Sequence, residues 1–239
     1  MNNTEKLLTI YDKLYKSFGP QHWWPGDTPF EVAVGAILTQ NTNWGNVEKA
    51  INNLKTKDLL DAHSLYSISH EELAETIRPS GYFNIKAKRL KSFISFLVDN
   101  YEGKIENMEV IETLNLRQQL LNVNGIGAET ADSILLYAVN KPIFVIDAYT
   151  KRVISRHGFM DYESGYDQFQ RLFHDNLDRD IKLFNEFHAL FVMTGKYYCK
   201  PKPICNGQSQ CPLNDSDSDN GVKGTSPLAG SKGSALADV

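Results

Sequence analysis

An all-α fold is predicted by three features of this 239-residue sequence: apolar residues recur at helical spacing, capping residues mark helix starts and stops, and no segment sustains the apolar/polar alternation of a half-buried strand. Met1 to Lys16 is a charged amphipathic segment without the apolar core of a signal peptide. Thr28-Pro29-Phe30-Glu31 reads as a helix start: Thr28 caps, Pro29 suits the first helical position, and Glu31 closes a capping box ahead of the apolar run Val32 to Leu38. Ser69-His70-Glu71-Glu72 offers a second box, followed by Leu73 and Ile77, with Pro79 and Gly81 ending the segment. Leu90, Phe93, Ile94 and Leu97 share one helical face. So do Leu183, Phe184, Phe187, Leu190 and Phe191 ahead of Gly195, which reads as a C-terminal cap. The apolar run Pro142 to Ile146 is too short to demand a sheet.

With 41% hydrophobic and 11% aromatic residues the chain has enough apolar material for one sizeable core or two small lobes. No stretch reaches the roughly 18 apolar residues of a membrane span, and the expected location is the cytoplasm, on the nucleoid in a prokaryote. A net charge of −4 argues against nucleic-acid binding at first sight, because phosphates call for lysine and arginine. Half of that charge, however, comes from the Asp-rich stretch after Cys211, and basic residues gather in three runs: Lys86, Lys88, Arg89 and Lys91; Lys151, Arg152 and Arg156; Lys196, Lys200 and Lys202. Each run is either a phosphate grip or the solvated side of a helix. Asn214 to Val239, rich in Ser, Asp and Gly, has too little apolar surface to offset the entropy of ordering and reads as a disordered tail.

The most informative stretch is Leu120-Leu121-Asn122-Val123-Asn124-Gly125-Ile126-Gly127-Ala128-Glu129-Thr130-Ala131-Asp132. The end of one helix, a Gly-x-Gly turn and an Ala-rich helix follow one another. Such a turn either packs two helices tightly or turns backbone N–H groups towards an anion.

This stretch resembles the helix-hairpin-helix of the endonuclease III superfamily of DNA glycosylases, whose pattern Leu-x-x-Val-x-Gly-x-Gly-x-x-Thr-Ala is met from Leu120. Val145-Ile146-Asp147, with Thr150 and Arg152 after it, is similar to the segment that delivers the family's catalytic aspartate. Leu38-Thr39-Gln40-Asn41-Thr42 is similar to its glutamine-bearing loop, and Gly81-Tyr82-Phe83-Asn84-Ile85-Lys86-Ala87 to its Gly-x-x-x-x-Lys-Ala element. The four motifs stand in the family's order and cover roughly residues 25–205.

The resemblance implies two helical lobes with the active-site cleft between them. Residues 29–138 would form a central bundle with the hairpin at about 113–138; residues 1–28 and 139–212 would form the second lobe; and 213–239 would be the tail. The partner would be double-stranded DNA holding a damaged base, bound by a monomer. Gly125, Ile126, Gly127 and Thr130 would hold phosphate; Lys86 and Arg89 would grip the backbone beside them; Gln40 and Asn41 would fill the gap left by a flipped base. Trp23, Trp24, Trp44 and Tyr82 would offer stacking faces for that base, with Lys196 near it. Asp147 would stabilise positive charge at the anomeric carbon or activate water. The residue alone is equally suited to cap the helix that begins at Ala148, and the two roles are compatible.

Two departures from the family pattern stand out. Bifunctional members carry a Schiff-base lysine two residues after the second hairpin glycine, where this chain has Glu129. The resemblance then implies a monofunctional enzyme of the 3-methyladenine glycosylase kind, unless Lys196 or Lys151 reaches the sugar. The alternatives are a bifunctional relative acting on oxidised pyrimidines and a non-catalytic DNA binder. Many members also hold a 4Fe-4S cluster on Cys-x6-Cys-x2-Cys-x5-Cys, whereas Cys199, Cys205 and Cys211 are this chain's only cysteines, spaced x5 and x5. A three-cysteine site would borrow a ligand such as His188, hold zinc, or be a degenerate loop; the proposed chemistry needs none of them.

Overall fold

The computed structural model describes residues 1–202 and 211–214, and among these there are helices and connecting segments but no strand. The chain divides into two units. One takes Met1–Trp23 together with the described residues from Phe144 onward; the other is Trp24–Ile143.

In the first unit, α1 (Asn3–Phe18) begins with a complete capping box between Asn2 and Glu5 and buries Leu7, Ile10 and Leu14. The second unit contains the next seven helices: α2 (Pro29–Leu38), α3 (Trp44–Thr56), α4 (Ala62–Ser67), α5 (His70–Thr76), α6 (Phe83–Tyr101), α7 (Thr113–Leu121) and α8 (Ala128–Ser133). Helix α2 is buried from Glu31 to Leu38. Thr28 accepts the Glu31 N–H as its cap. The expected reciprocal bond is replaced: the Glu31 carboxylate accepts from the Asp27 N–H at 3.2 Å and pairs with Lys55 at 2.9 Å. Helix α5 stops at Thr76 and a short 3-10 turn, Arg78–Ser80, carries the chain to Gly81 at φ +68°. Leu90, Phe93, Ile94 and Leu97 are fully buried on α6.

Helices α7 and α8 form the hairpin, and a buried ion pair ties them. Arg117 donates through Nε and Nη2 to the two carboxylate oxygens of Asp132 at 2.7 and 3.1 Å, with Asp132 fully buried. Helix α8 runs straight into a π-helical turn, Ile134–Ala138, whose five residues are all buried. Tyr137 in that turn packs on Trp24, which meets Trp44 edge-on, ring centroids 5.1 and 5.8 Å apart. These rings draw Trp24 into the second unit. At its other end, the Lys141 amide bonds Leu135 O and its Nζ bonds Glu109 O, which keeps the chain there as far as Ile143. The division therefore falls after residues 23 and 143, five residues from the expected limits of 28 and 138 at each end.

The remaining helices, α9 (Ala148–Arg156), α10 (Tyr166–His174) and α11 (Ile181–Tyr197), belong to the first unit. Gly195 lies inside α11 rather than capping it. A Cβ there would sit 2.2 Å from Cδ1 of Tyr149, so the glycine is what lets α9 lie close against α11. Leu213, placed at the start of the expected tail, is 4% exposed, because the chain turns at Cys211, where the Asn214 amide bonds the Cys211 carbonyl. Residues 215–239 and Cys205 lie outside the described residues. No described helix is long and apolar enough to cross a membrane.

Removing Arg117 takes the two-pronged cationic contact from the fully buried Asp132 carboxylate. Arg117→Ala should cost about 3–5 kcal/mol in urea unfolding, and Arg117→Lys, which cannot make the two-pronged contact, should recover only part of it.

Candidate active site

The extended segment Phe144–Ile146 has no strand partner among the described residues, so its backbone groups are met by side chains of α10. His174 Nε2 accepts the Phe144 N–H at 2.9 Å, Gln170 donates to Phe144 O at 2.8 Å, and the Tyr166 hydroxyl accepts the Ile146 N–H at 3.2 Å. The Phe144 ring stacks on Phe173 at 3.7 Å and meets Phe184, Phe187 and Phe191 of α11 edge-on. The chain is thus fixed up to the residue before Asp147. Asp147 is the N-cap of α9 and its Oδ1 accepts the Thr150 N–H at 2.6 Å. Its other oxygen stands 3.6 Å from Nε2 of His188 on α11, and its side chain is 11% exposed. Burial alone would raise the Asp147 pKa. The opposing His188 and the Thr150 hydrogen bond outweigh it, so the carboxyl is held below its ordinary range and stays ionised at neutral pH.

The second unit places the hairpin. Gly125 turns at φ +88°, and a Cβ on it would lie 2.2 Å from Cγ of Arg89, so both backbone angle and space demand glycine. Gly127 differs. As N-cap of α8 it has φ −91°, open to any residue, and a Cβ there would meet nothing within 4 Å. Ile126 and Thr130 are buried while Gly127 and Glu129 are exposed, Glu129 in the first turn of α8.

Several residues expected to touch DNA instead hold the unit together. The Gln40 amide donates to Gly125 O at 3.2 Å and Thr130 Oγ1 at 2.9 Å, while its oxygen accepts from Arg89. Gln40 and Arg89 therefore brace the hairpin, and both side chains remain half-buried. Lys86 is 1% exposed, and its Nζ donates to Leu38 O at 2.8 Å and Ser80 O at 2.6 Å, which corrects its assignment as a phosphate ligand. These carbonyls end α2 and the 3-10 turn and would otherwise lack donors. Burial and then neighbouring Arg89 push the Lys86 pKa down to about 8. Lys91 likewise bonds the carbonyls of Tyr66 and Ile68, leaving Lys88 as the outward member of that run.

The loop does contribute Asn41, exposed in the left-handed region at φ +53°. Tyr82 shares that conformation at φ +44° and is 69% exposed at the start of α6. A large side chain in a rare backbone state and in full solvent is a signal the sequence does not carry, since the strain lies in the turn and not in the residue type. Of the tryptophans, Trp23 and Trp44 are 8% and 6% exposed, so neither presents an open face as it stands; Trp24 is half-buried. Lys151 Nζ lies 5.1 Å from the ring centroids of both Tyr162 and Phe169, and Lys196 Nζ 5.4 Å from that of Tyr197.

Residues 34–179 match the family described as HhH-GPD superfamily base excision DNA repair protein. The chain belongs to this superfamily. A Methanocaldococcus jannaschii protein whose name provisionally assigns it as a DNA repair glycosylase is 47% identical over 216 residues, 90% of this chain and 96% of that protein. Endonuclease III of Thermotoga maritima is 26% identical over 182 residues, 74% of this chain and 78% of its own. The crystal structure of H. pylori 3-methyladenine DNA glycosylase bound to 1,N6-ethenoadenine superposes with TM-score 0.68 at 31% identity, covering 80% of this chain and 96% of that one. A non-covalent endonuclease III–DNA complex gives TM-score 0.72 at 22% identity over 90% and 94%, which speaks for the fold alone. As a member of the HhH-GPD superfamily the chain is a DNA glycosylase of base excision repair.

Some members of the endonuclease III group carry a 4Fe-4S cluster, and this HhH-GPD chain's donors do not fit it. Four thiolates are the norm and the whole sequence has three cysteines. Cys199 is buried, and its Sγ accepts from Nη1 of Arg156 at 3.2 Å. Arg156 also bonds the carbonyls of Lys200 and Pro201, and Arg152 that of Cys199. His188 precedes Cys199 by three turns of α11, about 16 Å, too far to complete a site with it. No group of three or more His, Cys, Asp or Glu that could hold a metal occurs among the described residues.

Lys86→Met should destabilise by about 2–4 kcal/mol, because two buried carbonyls lose their donor. An unfolded lysine titrates near 10.4 and the buried one near 8, so between these values the unfolded chain binds more protons and the Lys86 contribution to stability rises with pH. Urea unfolding from pH 8 to 10 should show that rise in the wild type and a flatter curve in Lys86→Met.

Proposed function

We propose that this HhH-GPD protein is a monofunctional glycosylase that excises alkylated purines and leaves the abasic strand intact. The observation that carries the reading is Glu129, standing at the position where bifunctional members carry their lysine. A carboxylate forms no imine, so water is the nucleophile. Departure of the base leaves positive charge on the sugar, and Asp147, held ionised in a largely buried position, is suited to stabilise it or to take the proton of the attacking water. Similarity at 31% identity to a 3-methyladenine glycosylase supports alkylpurines as substrates. So does Trp24, half-buried and steadied by Trp44 and Tyr137: an electron-poor alkylated ring stacks well on an indole face.

The turn from Gly125 to Gly127 would take the DNA backbone. Gly127 is unexplained by the packing of the protein, and an approaching phosphate explains it, since a bare N-cap permits closer contact with backbone N–H groups. Exposed Asn41 and Tyr82 would support the strands around the extruded base.

Gly127→Ala should leave the melting temperature within about 2 °C of wild type while weakening binding to lesion duplex at least about fivefold. Gly125→Ala, by contrast, should destabilise by about 2–4 kcal/mol through strain and the Arg89 clash. Duplexes bearing a single 3-methyladenine-type lesion should break only after hot alkali, and those bearing an oxidised pyrimidine should stay intact. Asp147→Asn should abolish those breaks without loss of stability, because asparagine also caps helices. Breaks without alkali, trapped by borohydride, would make the enzyme bifunctional; no breaks on any lesion would leave a DNA-binding protein.

A further inference from the structure

Asp147 is anchored from one side only by its own helix: the Thr150 N–H fixes Oδ1 and leaves Oδ2 to be aimed by something else. That something comes from α11. His188 is 4% exposed, and its Nε2 stands 3.6 Å from Oδ2, slightly longer than a hydrogen bond. Its ring sits against the edge of Phe144, centroids 6.5 Å apart, within the aromatic layer that fixes the segment leading to Asp147. Gly195 lies two turns further along the same helical face, where the missing side chain admits Tyr149 and brings α9 against α11. Histidine, glycine and aspartate thus form one arrangement: close helix packing at Gly195 holds His188 beside the carboxylate.

We propose that His188 is a positioning residue for Asp147, facing Oδ2 so that the carboxylate stays charged and aimed at the sugar while Thr150 secures Oδ1. The proposal rests on the reading of Asp147 as the reacting carboxylate. Around the same segment, Tyr166 and His174 of α10 accept main-chain N–H groups of Ile146 and Phe144, and Arg152 of α9 bonds the carbonyl of Cys199. His188, with Nε2 3.6 Å from Oδ2, is the side chain that faces the second carboxylate oxygen of Asp147. Without it, burial would dominate and the carboxyl would take up its proton at higher pH, losing the negative charge the reaction needs.

Carbon-13 NMR titration of the Asp147 carboxyl, with single-turnover base release from pH 5 to 8, tests this in wild type, His188→Phe and His188→Gln. The expected result is a rise of at least about one pH unit in the Asp147 midpoint. The acid limb of the rate profile should move with it, so that the rate at pH 5 falls by more than the rate at pH 8. A midpoint and acid limb unmoved in either folded variant would overturn the proposal. His188→Gln retains a polar tip of similar reach and keeps the test open if the phenylalanine variant folds poorly. The two readings separate: base release surviving in Asp147→Asn would remove the catalytic role of the aspartate, whereas the NMR midpoint reports the action of His188 on the carboxylate regardless.

Discussion

Helix ends leave carbonyl oxygens without partners, and in this protein long cationic side chains supply the missing donors. Lys86 closes Leu38 and Ser80, Lys91 closes Tyr66 and Ile68, Lys141 closes Glu109, and Arg152 and Arg156 gather the carbonyls of residues 199–201. Short helices joined by tight connections create many such ends, and a buried carbonyl left open is expensive. The functional residues stand on this wiring. Lys86 secures the carbonyl two residues before Gln40, Gln40 braces Gly125 and Thr130, and Arg89 fills the space beneath the turn. The hairpin is shaped by contacts that face inward, which leaves its outward surface at Gly127 bare.

The first unit solves a different problem by related means. A carboxylate there is held charged although it is nearly buried, and it follows a segment with no strand partner among the described residues. Side chains of α10 satisfy the backbone before Asp147, the phenylalanine layer fixes that segment, and the start of α9 takes one carboxylate oxygen. A helix N-terminus suits a negative charge, so capping and charge stabilisation act in the same direction at Asp147.

The helices were legible because their signals are local: Thr28 and Ser69 as caps, Pro29 at the first position, and the buried face of Leu90, Phe93, Ile94 and Leu97. The hairpin and the capping role of Asp147 were legible because their spacing along the chain is itself the pattern. What the sequence concealed was direction. Lys86, Lys88, Arg89 and Lys91 look like one solvated stripe, yet on a helix four residues within six positions spread around most of the circumference, and only Lys88 points out. The Trp23–Trp24 pair shows the same limit, since adjacent residues fall into different units. Gly195 was read as a stop because a glycine near the end of a helix usually is one; the ring of Tyr149, distant in sequence, gives it another purpose.

The inward turn of the basic runs bears on how this enzyme meets DNA. Counterion release from the duplex makes protein–DNA affinity fall with ionic strength, and a cation buried as fully as Lys86 is out of reach of a phosphate, whereas Lys88, Lys200 and Lys202 are exposed. On the proposed reading, the bare turn at Gly127 would meet the backbone through main-chain N–H groups, which carry no net charge and add nothing to that salt dependence.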